Sequence, residues 1–177
     1  RVLTGELTPD TGAVLLDGQD LVRLSPAALA GRRAVLPQAT RLSFPFTVHE
    51  VIRLGLSGGS RRSGGHRAGQ DGARVAALLR RVDLAGFGDR YYQQLSGGEQ
   101  QRVHLARVLA QLDAPSPGGA ARALFLDEPI SSLDIRHQLA VLRIARDVAD
   151  NSGAVVAILH DLNLAAMFAD RLLAVDG

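Results

Sequence analysis

Apolar residues recur along this chain in short blocks, and the spacing within the blocks alternates between continuous runs and helical repeats. The run Ala13-Val14-Leu15-Leu16, closed by Asp17-Gly18, predicts a short strand ending in a turn. Ser25-Pro26-Ala27-Ala28-Leu29-Ala30 sets a capping serine before a proline at the first helical position, which predicts a short helix. Ala34-Val35-Leu36-Pro37 is continuous again and predicts a strand with Gln38 at its exit. Val48, Val51, Ile52 and Leu54 return at helical spacing between Thr47, read as an N-cap, and Gly55, read as a C-cap. Val75, Leu78, Leu79 and Val82 repeat that spacing over 74–82. A longer helix is predicted over 98–112, then a strand at 123–126, a helix at 136–150, a strand at 154–159, a helix at 162–169 and a last strand at 171–175. Strands alternating with helices across short connections predict a parallel α/β sheet.

Two stretches interrupt the pattern. Residues 57–72 are mostly Gly, Ser, Arg, His, Gln and Asp, too polar to offset the entropy of ordering, and predict a mobile loop. Residues 113–122 form a Pro/Gly-rich connection. Arg1-Val2-Leu3-Thr4-Gly5-Glu6-Leu7 reads as the tail of a helix stopped by Gly5.

Composition narrows the picture. At 177 residues and 46% hydrophobic, the chain supplies the core of one domain, 1–177. It has no cysteine, so disulfides and thiolate metal sites play no part. No run approaches the roughly 18 to 20 uninterrupted apolar residues of a membrane span, so a membrane role would be peripheral. A net charge of +2 and 4% aromatic residues give nucleic acid neither an electrostatic footprint nor stacking platforms. All 20 basic residues are arginine, so the Gly-x-x-x-x-Gly-Lys-Ser/Thr phosphate loop is absent from these residues.

The chemistry concentrates in two ordered blocks. Leu95-Ser96-Gly97-Gly98-Glu99-Gln100-Gln101-Arg102 starts a helix with a serine and two glycines, where unpaired amides and the positive dipole end suit a phosphate. Leu124-Phe125-Leu126-Asp127-Glu128 ends a strand in two carboxylates, outside the carboxyl end of the sheet where ligands bind in open α/β folds. His160 follows the strand 154–159 in the same way. Taken singly, Asp-Glu-Pro is a strand-ending turn, Ser-Gly-Gly a flexible loop, His160 a packing residue and Gln38 a loop glutamine. Histidines 49, 66, 104 and 137 show no metal-ligand spacing and read as surface or packing residues, and the arginine pairs at 32/33, 61/62 and 80/81 read as solvated faces.

Together and in this order, the blocks resemble the elements of ABC-type ATPases across the whole chain. Leu36-Pro37-Gln38 resembles the Q-loop, 95–99 the signature, 124–128 Walker B, Ser131-Ser132-Leu133-Asp134 the D-loop and His160 the switch histidine. Ile130 and Ser132 stand where threonine and alanine are more usual. The resemblance implies a P-loop NTPase-like, mostly parallel α/β sheet with a small N-terminal β region and an inserted helical subdomain at about 43–112. It implies that ATP and Mg²⁺ are bound in a head-to-tail homodimer. Ser96, Gly97, Gly98 and Glu99 would contact the γ-phosphate of the opposite subunit's nucleotide, and Asp134 would pack across that dimer. Asp127 would hold Mg²⁺, Gln38 would sense the ion and the attacking water and touch a membrane permease, Glu128 would be the general base, and His160 would contact the γ-phosphate. Residues 1–7 resemble the stretch that follows the P-loop lysine, so an internal fragment is expected, inactive by itself.

Within the family, Ser25-Pro26-Ala27, Arg32 to Gln38, Leu42 to Val51 and the insertion at 113–122 resemble the ATPase of bacterial hemin importers. That implies a peripheral subunit on the cytoplasmic face of the inner membrane, serving a permease and, indirectly, a substrate-binding protein. Siderophore and cobalamin importers, a non-transport ABC ATPase acting on DNA or ribosomes, and a non-catalytic binding fragment remain the alternatives.

Overall fold

The computed structural model describes residues 1–38, 40, 42, 44–56, 68–113 and 122–175. The expected loop over 57–67, the Pro/Gly connection over 114–121 and Ser43 lie outside the described residues.

At the N-terminus Gly5 has φ of 69°, and the bonds Gly5 N to Val2 O (2.9 Å) and Glu6 N to Arg1 O (3.0 Å) form the paired closure of a helix C-terminus. A hairpin follows, β1 (Leu15–Leu16) antiparallel to β2 (Gln19–Asp20) across the Asp17-Gly18 turn. Helix α1 (Pro26–Ala30) starts on Ser25, whose side chain accepts from Ala28 N. Strands β3 (Arg33–Leu36), β4 (Arg122–Asp127) and β5 (Gly153–Ile158) form a parallel sheet in the order β3-β4-β5. Leu36 pairs with Leu126 and Asp127 with Ile158, which sets the three carboxyl ends side by side.

Helix α2 (Val48–Leu56) is entered through a reciprocal cap: Thr47 N donates to Glu50 Oε2 (2.8 Å) and Glu50 N to Thr47 Oγ1 (3.3 Å). Helix α3 (Ala68–Arg81) begins at Ala68 rather than Arg74, so the loop expectation fails for 68–72. That first stretch lacks an apolar stripe of its own and is tied down from outside, with Asp71 3.9 Å from Arg53 of α2. Helix α4 (Gly97–Leu112) is the central element, packed against α2, α3 and β3. Val103, Leu105, Ala106, Val108 and Leu109 are at most 2% exposed, each Val or Leu being worth roughly 1.5–3 kcal/mol of burial. Gly55 lies inside α2 and does not cap it. A Cβ there would meet Arg107 O at 2.0 Å, so glycine is what lets α2 and α4 cross this closely.

Helix α5 (Ile135–Ser152) is capped by Asp134 and α6 (Leu162–Phe168) by Asp161. The expected last strand is not formed: residues 171–175 pair with no neighbour among the described residues, and Leu173 and Val175 are over 90% exposed. Without a ladder partner an apolar run has no strand to join.

Candidate functional site

The parallel register decides where the polar residues meet. Gln38 follows β3, Asp127 and Glu128 end β4, and His160 lies just past β5, each at a carboxyl end of the sheet. His160 Nε2 donates to Glu128 Oε1 at 2.8 Å, and the Gln38 side chain donates to the same carboxylate. The His160 hydrogen bond, assisted by the imidazole's charge and by Gln38, holds the Glu128 carboxyl below its usual range. A cleft of about 150 Å³ opens beside this trio, bordered by Ser131, Gln138 and Asp161. Another cavity, about 260 Å³, lies away from it, between the exit of β3 and the α2/α4 crossing.

Glu128 is also held through its backbone. Its φ of 48° places a non-glycine residue in the left-handed region, where its carbonyl accepts from Ser131 Oγ (3.2 Å), Ser131 N (3.4 Å) and Gln101 Nε2 (3.1 Å).

The tip of α4 is solvent-facing. Ser96 is exposed and caps the helix reciprocally: Ser96 N and Oγ donate to Glu99 Oε2, both at 2.8 Å, while Glu99 N donates to Ser96 Oγ at 3.4 Å. Those bonds, first of all from the serine side chain, lower the Glu99 pKa. The amides of Gly97 and Gly98 have no acceptor within the helix and, with the dipole, form an anion-attracting end. Gly98 rests on the 131–134 turn: a Cβ there would lie 3.2 Å from both Leu133 Cδ2 and Ser132 O.

Asp134 does not join the Glu128 cluster. Its carboxylate accepts from His137 N (2.9 Å) and faces His137 Nδ1 at 2.9 Å, which lowers its pKa. The other side of that imidazole faces Asp83 Oδ2 at 3.5 Å, a carboxylate that Arg136 also reaches at 2.9 Å. His137 is thus a bridge between two aspartates rather than a bland surface residue, and the signal for it was its place three residues after an N-cap Asp. His104 is buried as a packing residue should be, and it shares a 2.8 Å hydrogen bond with Tyr92. Ser131 reaches the Glu128 carbonyl within a local turn, whereas Gln101 gave no chemical signal of its own and only the fold brings it there.

Asp127 and Gln38 bring a carboxylate and an amide oxygen to these strand ends. No cluster of three or more His, Cys, Asp or Glu suited to a metal exists among the described residues. That donor set suits Mg²⁺, which is commonly held by one or two protein oxygens and completed by phosphate and water.

Comparison with known proteins finds close relatives of the chain. The chain is 54% identical over 172 residues to the hemin import ATP-binding protein HmuV of Rhizobium meliloti (strain 1021), covering 97% of this chain and 64% of that protein. It is 59% identical over 175 residues to the protein of the same name in Jannaschia sp. (strain CCS1), covering 97% of this chain and 61% of the relative. The chain therefore spans less than two thirds of the length of these curated relatives. The dimeric post-hydrolysis structure of the ATP-binding cassette MJ0796 bound to ADP and Pi superposes with a TM-score of 0.77 at 25% identity, over 93% of this chain and 69% of that one. A second dimeric structure of MJ0796, a bacterial ABC transporter cassette, gives 0.76, also at 25% identity, over 94% and 70%. The family model described as ABC transporter matches residues 1–131. With that model matching most of the chain and these relatives 54% and 59% identical to it, the chain belongs to the ABC transporter family.

Proposed function

We propose that this protein is the ATP-binding and ATP-hydrolysing subunit of a bacterial ABC importer and that its cargo is hemin. The cargo rests on the hemin import relatives, and the chemistry rests on one observation: the Glu128 carboxylate held between Gln38 and His160 where three parallel strands end. In this reading two copies associate head to tail. The tip of α4, Ser96 to Glu99, meets the terminal phosphate of the nucleotide held mainly by the partner, through amides that the serine cap leaves free.

Glu128, a carboxylate at neutral pH and oriented by His160 and Gln38, positions the attacking water and takes its proton. His160, on the exposed side of that carboxylate, turns toward the γ-phosphate when nucleotide enters. Asp127 and Gln38 hold Mg²⁺, which when bound neutralises developing charge on the phosphates. The turn at Asp134 faces the dimer partner. The α2–α4 helices form a helical subdomain at about 43–112, and the segment from Gln38 onward meets the permease on the cytoplasmic face of the inner membrane. A substrate-binding protein acts only through that permease. Among the described residues no helix is long and apolar enough to cross a membrane.

The test is Glu128→Gln in the complete gene product. ATP binding should survive while turnover falls about a hundredfold or more, the usual contribution of a general base. Wild-type hydrolysis would remove Glu128 from that role. Cargo is read separately, from which of hemin, a ferric siderophore or cobalamin is taken up by vesicles carrying the assembled transporter.

A further inference from the structure

Gln101 stands outside the residues expected to contact nucleotide, yet among the described residues it is the side chain from another element that reaches the Glu128 backbone carbonyl. Of the hydrogen bonds on the Glu128 carbonyl, those from Ser131 close the local turn after β4, whereas Gln101 belongs to α4. A carbonyl offers only lone pairs, so the amide must present its NH₂ group there. The Gln101 oxygen is then buried with no partner among the described residues, which costs stability. The geometry it secures is unusual, a glutamate at φ of 48°, and the residue so held is the proposed base.

Helix α4 therefore has two ends to one lever. Its tip carries Ser96, Gly97 and Gly98, with Gly98 against the 131–134 turn, and one turn further in Gln101 grips Glu128 of the same chain. We propose that Gln101 is a positioning residue that carries the engagement of the α4 tip to the Glu128 backbone. A phosphate bound at one composite site then sets the base of the other. This rests on the dimeric, ATP-hydrolysing reading above.

The experiment measures ATP hydrolysis against ATP concentration in the complete gene product with Mg²⁺. Gln101→Met keeps the length and removes the donor. Its kcat should fall about five- to tenfold, the worth of one lost hydrogen bond, while KM stays within about twofold. The Hill coefficient, above one in the wild type, should approach one. Gln101→Glu keeps the volume and turns an acceptor toward the carbonyl, so its loss should be at least as large; it carries the test should the Met variant melt early. Gln111→Met removes hydrogen bonds of α4 that lie away from Glu128, to Ala30 O and Arg33 O, and should keep the wild-type Hill coefficient.

Wild-type kcat and Hill coefficient in both Gln101 variants overturn the proposal. So does a non-cooperative wild type, or an equal loss of cooperativity in Gln111→Met. Glu128→Gln run alongside separates the levels: if it is inactive while the Gln101 variants match wild type, only the positioning role falls. If it retains full turnover, the reading of Glu128 itself falls.

Discussion

Tyr92 and His104 make the sharpest stability prediction, because a titratable ring is sealed between the 92–94 turn and α4. His104 is 5% and Tyr92 4% exposed, their rings meet edge to face with centroids 5.2 Å apart, and Tyr92 Oη lies 2.8 Å from His104 Nε2. Burial, with a further push from the Arg107 guanidinium, lowers the His104 pKa from 6.5 to about 4. A depressed histidine stabilises the fold fully above its unfolded pKa, and that stability is lost as pH falls from about 6.5 towards 4, where only the unfolded chain takes up the proton. Across the whole window the loss is about 3 kcal/mol, of which about 2 kcal/mol is gone by pH 5. The assay is urea unfolding followed by circular dichroism between pH 7.5 and pH 5, for wild type and for His104→Gln, which can still accept from the Tyr92 hydroxyl and does not titrate. The variant should lose about 2 kcal/mol less than wild type over that range. Parallel stability curves for the two proteins would refute the argument, since other groups titrate equally in both.

Two further substitutions test the packing of α4. Gly55→Ala would drive a methyl group to 2.0 Å from Arg107 O and 2.9 Å from Ala110 Cβ, so it should cost about 3 kcal/mol, read as a lower urea midpoint; an unchanged midpoint would mean the helices can part freely. Gln111 donates to Ala30 O (3.0 Å) and Arg33 O (2.9 Å), tying α4 to the α1–β3 connection. Gln111→Leu leaves both carbonyls short of a donor and should cost about 1–3 kcal/mol by the same measurement.

What could be read in advance was whatever rests on local chemistry. Ser25-Pro26, Thr47 with Glu50 and Ser96 with Glu99 announce helix starts through groups a few residues apart, and each forms its expected cap. Gln38, Asp127 and His160 follow apolar runs, so strand ends could be placed by composition. The misses are long-range. Gln19 and Asp20 are too polar to announce β2, and pairing with β1 makes them a strand. Ala68 to Ala73 carries no stripe, yet α3 extends through it beside Arg53. Gly55 looked like a stop and is a contact point. The 171–175 run has strand composition but no partner. Gln101 gains its role only when Glu128, distant in sequence, arrives beside it, and Asp83 adds a second carboxylate to the local pair of His137 with Asp134.

The three parallel strands also act as a ruler. Each residue advances a strand by about 3.3 Å and reverses the face its side chain occupies, while the Glu128 carboxylate and His160 imidazole are separated by 2.8 Å. One residue added to or removed from β4 or β5 would shift one of these groups by more than the length of the bond between them. Changes of length can therefore accumulate in the connections between the strands, but the strands themselves must keep their count.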